Sequence, residues 1–324
     1  MNGHRIRRSV VPLVVTIAPL ISASVDANRP STIFRSGVDI VHLSVVVTDQ
    51  EGRFATGLER SHFAVLENGV PQDLEFFSAA TVPLDLAVLL DTSASMTSQM
   101  PIVQSAAQEL LGTLRGGDRG MIIGFNTMAQ ILAPFTGDMG RLKAALQAVE
   151  TNGDTALHTA LYVALQTFGV RNDTADIRRR ALMVLSDGDD TASRVAFDDV
   201  LALARRAGVS IYTVSLGSHP HHAMFPNQRR RREQADFEMR ALARESGARA
   251  FFPEHASELR DVYRHIVDDL AHQYVLGYVP KNPHADGTFR RVAVQVVGSA
   301  RGVRTRTRSG YMARCDAGRS TMTR

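Results

Sequence analysis

The chain has 324 residues, 44% of them hydrophobic and 22% charged, and carries a formal net charge of +4. This composition excludes intrinsic disorder as the main state and supplies enough apolar material for one large core or two smaller ones. The only cysteine, Cys315, excludes a disulfide scaffold and a multi-cysteine zinc site, and so small a net charge implies no nucleic-acid binding.

Residues 1–27 read as a secretory signal. His4, Arg5, Arg7 and Arg8 form a basic start, Ser9 to Ile21 is an apolar stretch, and Ser22-Ala23-Ser24 or Val25-Asp26-Ala27 supplies the small residues that precede a cut. The apolar stretch falls short of the roughly 20 residues that span a bilayer, with an uncleaved anchor as the alternative. Residues 38–80 have strand patterning. Ile40 to Val47 is a β-branched run ended by Asp49-Gln50-Glu51-Gly52. Phe63–Leu66 and Leu74–Phe77 flank Glu67-Asn68-Gly69-Val70, and Asn-Gly between apolar runs predicts a hairpin, because both turn residues must tolerate positive φ.

Residues 83–270 alternate strand and helix. Strands are predicted at Leu84–Leu90, Met121–Phe125, Ala181–Leu185, Val209–Leu216 and Ala250–Phe252. Helical spacing marks Val103–Leu114, Leu142–Val149, Leu157–Phe168, Phe197–Ala204, Met239–Ala243 and Val262–Leu270, with Gly208 as a C-terminal cap. This order predicts an α/β fold: a mainly parallel, doubly wound sheet with helices on both faces. Residues 272–312 return to period two in Tyr274, Leu276 and Tyr278, in Val292, Val294 and Val296, and in Val303, Thr305 and Thr307. Neither flanking piece is large enough for a good core. They are expected to pack together as a small antiparallel β-module, with 83–270 inserted between them and 314–324 a flexible tail.

Chemistry concentrates at strand ends. Asp91-Thr92-Ser93-Ala94-Ser95 follows the Leu84–Leu90 strand, and Asp187 follows Ala181–Leu185 within Ser186-Asp187-Gly188-Asp189-Asp190. Thr155 sits in the loop Asn152-Gly153-Asp154-Thr155, just before a helix. Sites in open α/β sheets form at the carboxyl ends of the strands, so Asp91 and Asp187 should emerge together. Carboxylates and hydroxyls are hard oxygen donors that suit Mg²⁺, Mn²⁺ or Ca²⁺, and a dication relieves the repulsion of crowded carboxylates.

The pattern Asp91-x-Ser93-x-Ser95, a later Thr155 and Ser186-Asp187-Gly188 resembles the metal-ion-dependent adhesion site of von Willebrand factor type A domains. Val65-Leu66-Glu67-Asn68-Gly69, Leu89-Leu90-Asp91-Thr92-Ser93, Thr155-Ala156-Leu157, Gln273-Tyr274-Val275-Leu276-Gly277-Tyr278 and Ser309-Gly310-Tyr311 extend the likeness over about 38–312. There they resemble the secreted bacterial, often acidobacterial, proteins called VWFA-related. The resemblance implies a Rossmann-like fold and a ligand set of Asp91, Ser93, Ser95, Thr155 and Asp187. In that set the hydroxyls bind directly or nearly so, and the aspartates partly through water. It also implies a protein partner that presents an acidic side chain to the metal. Ala94 and Asp154 stand where glycine is frequent.

Other readings compete. Asp91, Ser93 or Ser95 alone would serve as caps of the following helix. The metal would then be absent. A separate alternative is a structural envelope or secreted scaffold whose metal is only stabilising. A Mg²⁺-dependent phosphatase of the haloacid dehalogenase type also places an aspartate after its first strand, but in Asp-x-Asp, and here Ser93 replaces the second acid. Neither a nucleophile elbow nor a phosphate loop is present, so a non-enzymatic protein is expected. Asp189 and Asp190 read as solvated loop or helix-start charges, and Asp198 and Asp199 as favouring a helix start. His219, His221, His222 and Arg229–Arg232 read as an exposed insertion, with the arginines a weak basic patch for acidic polymers or lipid headgroups. Arg304, Arg306 and Arg308 read as a solvated edge strand, and Cys315 as a free surface thiol.

Overall fold

Period-two runs from the two ends of the chain pair with each other. The computed structural model describes residues 40–79, 82–169, 177–187, 190–216, 226–298 and 302–315. The signal-like segment 1–27, Gly188, Asp189, His219, His221, His222 and the tail beyond Cys315 lie outside them. Strand β1 (Val41–Thr48) runs antiparallel to β11 (Gln273–Tyr278), with Val45 opposite Tyr274. Strand β2 (Phe63–Glu67) runs antiparallel to β12 (Phe289–Val296), with Val65 opposite Val294. With β3 (Val70–Gln72), β4 (Leu74–Ser78), β13 (Arg304–Arg306) and β14 (Gly310–Met312), they form two sheets ordered β13-β1-β11-β4 and β14-β12-β2-β3. Leu43, Val45, Phe63, Val65, Leu276 and Val294 belong to one core shared by both sheets. The small antiparallel module expected of the terminal segments is therefore present.

Its hairpin departs from expectation in one respect. Asn68 (φ 49°) and Gly69 (φ 85°) make the two-residue turn, but the returning strand is β3 and not Leu74–Phe77. After exposed Asp73 the chain crosses to the other sheet, where Phe77 faces Leu276 of β11. Within the module, Glu67 and Arg290 are both buried and pair at 3.2 Å. The hydroxyls of Tyr278 and Tyr311 each donate to Glu67 Oε2 at 2.8 Å. One carboxylate thus ties residues from both chain segments.

Between these segments lies the α/β unit. Its strands are β5 (Leu84–Asp91), β6 (Arg119–Phe125), β7 (Ala129–Thr136), β8 (Arg179–Ser186), β9 (Ser210–Ser215) and β10 (Ala250–Phe251), ordered β10-β9-β8-β5-β6-β7. All neighbours are parallel except β6 and β7. Strand β5 is central because both of its faces are apolar. Leu86, Val88 and Leu90 enter one core, and Ala87 and Leu89 the other. Helices α1 (Met100–Leu111), α2 (Met139–Gln147) and α6 (Leu259–Ala271) cover the first face. Helices α3 (Leu157–Thr167), α4 (Phe197–Ala207) and α5 (Pro226–Ser246) cover the second. Gly208 ends α4 at φ 62°, as its capping role requires, and Asp198 and Asp199 lie in the first turn of that helix.

Two charged features are corrected by the structure. Arg229–Arg232 are not part of a loop insertion but lie in α5, where Arg229 pairs with Glu233 and Arg232 with Asp236 at helical spacing. The arginines around β13 are not uniformly solvated. Strand β13 is an edge, and Arg304 is exposed, but Arg306 pairs with buried Asp269 at 2.6 Å and Arg308 donates to His42 O at 2.9 Å. Cys315 is free and exposed. Among the described residues no helix is long and apolar enough to cross a membrane.

Candidate metal centre

Strand order reverses between β5 and β8, the adjacent pair from which the chain leaves toward opposite edges of the sheet. Carboxyl ends at such a point splay apart and leave a crevice. Asp91 is the last residue of β5 and fully buried. Its Oδ1 accepts the Ser93 N–H at 2.9 Å, and its Oδ2 accepts the Ser186 hydroxyl, from the end of β8, at 2.6 Å. Ser93 is buried, Ser95 is exposed, and their hydroxyls lie 3.0 Å apart. Neither the Ser93 nor the Ser95 hydroxyl caps a helix: Ser93 opens the short 3-10 turn Ala94–Met96 with no side-chain cap, and α1 begins after Gln99.

Backbone hydrogen bonds bring the Thr155 loop to the same place. Ala94 N donates to Gly153 O at 3.1 Å, and Asn152 N to Thr92 O at 2.9 Å. Gly153 has φ 72°, and a Cβ there would meet Thr127 Oγ1 at 2.9 Å, so this approach requires glycine. Thr155 itself is buried. Its N–H donates to Thr191 Oγ1 at 3.1 Å, and its carbonyl accepts from Thr191 N and Ala192 N. Among the described residues, no side-chain hydrogen bond joins Thr155 to Asp91, Ser93, Ser95 or Asp187. Asp187 directly follows β8, and Arg232 donates to its carbonyl while also bonding Ser215 Oγ and Leu216 O. Among the described residues, the Asp187 Oδ1 atom is buried with no hydrogen-bond partner.

Burial raises the Asp91 pKa to about 6, aided by the charge of Asp187 and opposed by the hydrogen bonds from Ser186 and Ser93. A desolvated carboxylate, a second one with an orphaned oxygen and clustered hydroxyls make an oxygen-only donor set, which fits a hard dication. No group of three or more His, Cys, Asp or Glu suited to a metal occurs among the described residues.

The sequence reading missed the clamp behind the crevice. His158, in the first turn of α3, lies between Asp190 Oδ2 (3.0 Å) and Glu238 Oε2 (2.9 Å). Asp190 also accepts from Leu157 N, the first residue of α3, at 3.0 Å, so of its two expected readings it takes that of a charge at a helix start and not that of a solvated loop charge. Burial disfavours the His158 proton, but hydrogen bonds and charges from both carboxylates outweigh it and raise the pKa from 6.5 to about 9. A raised folded-state pKa contributes stability that is complete below pH 6.5 and lost as pH rises through about 9. The stability gap between the wild type and His158→Gln should therefore shrink by up to about 3 kcal/mol between about pH 6 and about pH 9.5. Urea denaturation at the two pH values checks this, and a gap independent of pH contradicts it.

At the switch point of the α/β sheet, Asp91, Ser93, Ser95 and Ser186 are thus joined by hydrogen bonds. Residues 86–189 match the von Willebrand factor type A domain family. Similar solved structures include the conserved hypothetical protein BatB from Bacteroides thetaiotaomicron, 17% identical over 57% of this chain and 98% of that one (TM-score 0.44). A von Willebrand factor type A protein from Catenulispora acidiphila is 17% identical over 86% of this chain and 64% of that one (TM-score 0.47). Proximal thread matrix protein 1 from the mussel byssus, solved with a zinc-occupied MIDAS motif, is 14% identical over 62% and 48% (TM-score 0.47). No curated protein matches the chain.

Proposed function

We propose that the chain is an exported, non-enzymatic protein that holds Mg²⁺, or Mn²⁺ or Ca²⁺, through Asp91, Ser93, Ser95, Thr155 and Asp187. Through that cation it binds an acidic group of a partner protein. The observation that carries the reading is the buried, unpartnered Asp187 Oδ1 next to Ser186, whose hydroxyl holds Asp91. A lone buried carboxylate oxygen is costly unless a cation or donor meets it. Mostly neutral hydroxyl donors leave the dication's charge under-compensated, which favours an anionic oxygen from outside. The family match over 86–189 supports a binding role for this domain. Export rests on residues 1–27.

The partner claim has a direct test. Immobilised full chain should capture proteins from an envelope extract in Mg²⁺ and release them with chelator or with millimolar free glutamate. A partner retained equally under all three conditions contradicts bridging through the metal. A cation-dependent gain in stability with no cation-dependent partner would leave only the stabilising-scaffold reading.

A further inference from the structure

A cleft of about 910 Å³ lies along the sheet edge, between the C-terminal half of α5, β10 and the β12–β13 corner of the β-module. None of the five residues assigned to the cation lines it. Among the described residues, Arg240, Arg244, Arg249, Arg306 and Arg308 line it and no carboxylate does. Arg306 is neutralised by Asp269, and Arg308 donates to His42 O. The other three are exposed. Arg240 and Arg249 make no ion pair among the described residues. The carboxylate nearest Arg244, Glu245 at 3.9 Å, is already bonded by Ser309 and Arg205.

The free guanidinium groups are held in place. Arg240 lies 4.0 Å over the Phe252 ring and Arg249 lies 5.5 Å over Phe251, within the range of cation–π attraction. Phe237 shares the helix face of Arg240 and Arg244, lines the cleft, and is 60% exposed. Among the described residues, Thr307 Oγ1 and Arg308 Nε, both of lining residues, are buried without hydrogen-bond partners. Fixed cations, an exposed aromatic ring and spare polar atoms suit one kind of occupant. We propose that this cleft is a second binding site, for an extended acidic peptide segment of a partner protein that also carries an apolar side chain for Phe237. A sulfated sugar would answer the charge but leave Phe237 and the alanine wall unused.

The test is selection from displayed random peptides of about ten residues, roughly 33 Å extended, on the full chain in chelator. The chelator removes any contribution from the cation. Selected sequences should be rich in Asp and Glu and contain an aromatic or large aliphatic residue. Their affinity by fluorescence anisotropy should fall about tenfold or more in Arg244→Glu/Arg249→Glu. It should fall likewise in about 1 M salt, where the screening length is roughly 3 Å. Both replaced side chains are exposed, so the variant should keep the wild-type circular dichroism. Asp91→Asn should bind the same peptides unchanged, which separates this proposal from the cation reading. Selection without acidic enrichment, equal affinity for the charge-reversed variant, or retention only of a sulfated oligosaccharide would overturn it.

Discussion

Asp91→Asn should abolish the thermal shift that Mg²⁺ or Mn²⁺ produces in the wild type. At a cation concentration about 100 times Kd, binding to the folded state adds about 2.7 kcal/mol, which corresponds to roughly 4–5 °C for a folded unit of this size. Asparagine keeps the shape of the site. Its oxygen still accepts the Ser93 N–H, and its amide group donates to the Ser186 hydroxyl, which turns its own proton away. The variant should therefore fold, with a cation-free Tm close to that of the wild type. What it lacks is the charge that a hard dication needs at the centre of an otherwise mostly neutral donor set. Differential scanning calorimetry with and without cation checks both halves. A variant that retains the full shift contradicts the role given to Asp91.

The second large effect lies in the β-module. Arg290→Met should destabilise the protein by about 3–5 kcal/mol, because it leaves the Glu67 carboxylate buried without its cation. The guanidinium also donates to Asn282 O at 2.6 Å and to His284 O, and both carbonyls lose a partner. Adding Glu67→Gln should restore at least half of the loss, since a neutral amide still accepts from Tyr278 or Tyr311 and removes the uncompensated charge. Denaturant midpoints of the two variants decide the matter. A single variant within about 1 kcal/mol of the wild type contradicts the account.

Features encoded in contiguous residues were legible in the sequence. The two-faced apolar run Leu84–Leu90 indicates a central parallel strand, and Asn68-Gly69 indicates a hairpin turn in the β-module, because each is decided within a few residues. The partner strand of that hairpin was not legible, since β3 has three residues and its successor joins another sheet. Strand β7 escaped because it is an edge strand holding Pro134 and polar residues. The early start of α5 did carry a signal: Pro226 at its first position, then Arg229–Glu233 and Arg232–Asp236 four residues apart. Read together, these mark a helix where composition alone suggests a loop.

At the candidate site, the residues in the motif were readable and their supports were not. Ser186 lies inside the quoted motif, yet its bond to Asp91 depends on β5 and β8 being neighbours. His158 finds Asp190 and Glu238 only after α3, α5 and the loop beyond β8 have packed. Arg232 reaches the Asp187 carbonyl across a similar distance in sequence. Ionic and hydrogen-bonded partners far apart in the chain leave no periodic trace, whereas apolar faces do.

The most direct measurement is anomalous diffraction from crystals of the full chain soaked in Mn²⁺. The account requires one strong peak bounded by oxygens of Asp91, Ser93, Ser95, Thr155 and Asp187, with Asp187 Oδ1 no longer alone. A saturating soak that leaves this crevice without a peak, or places the ion on other residues, would contradict it.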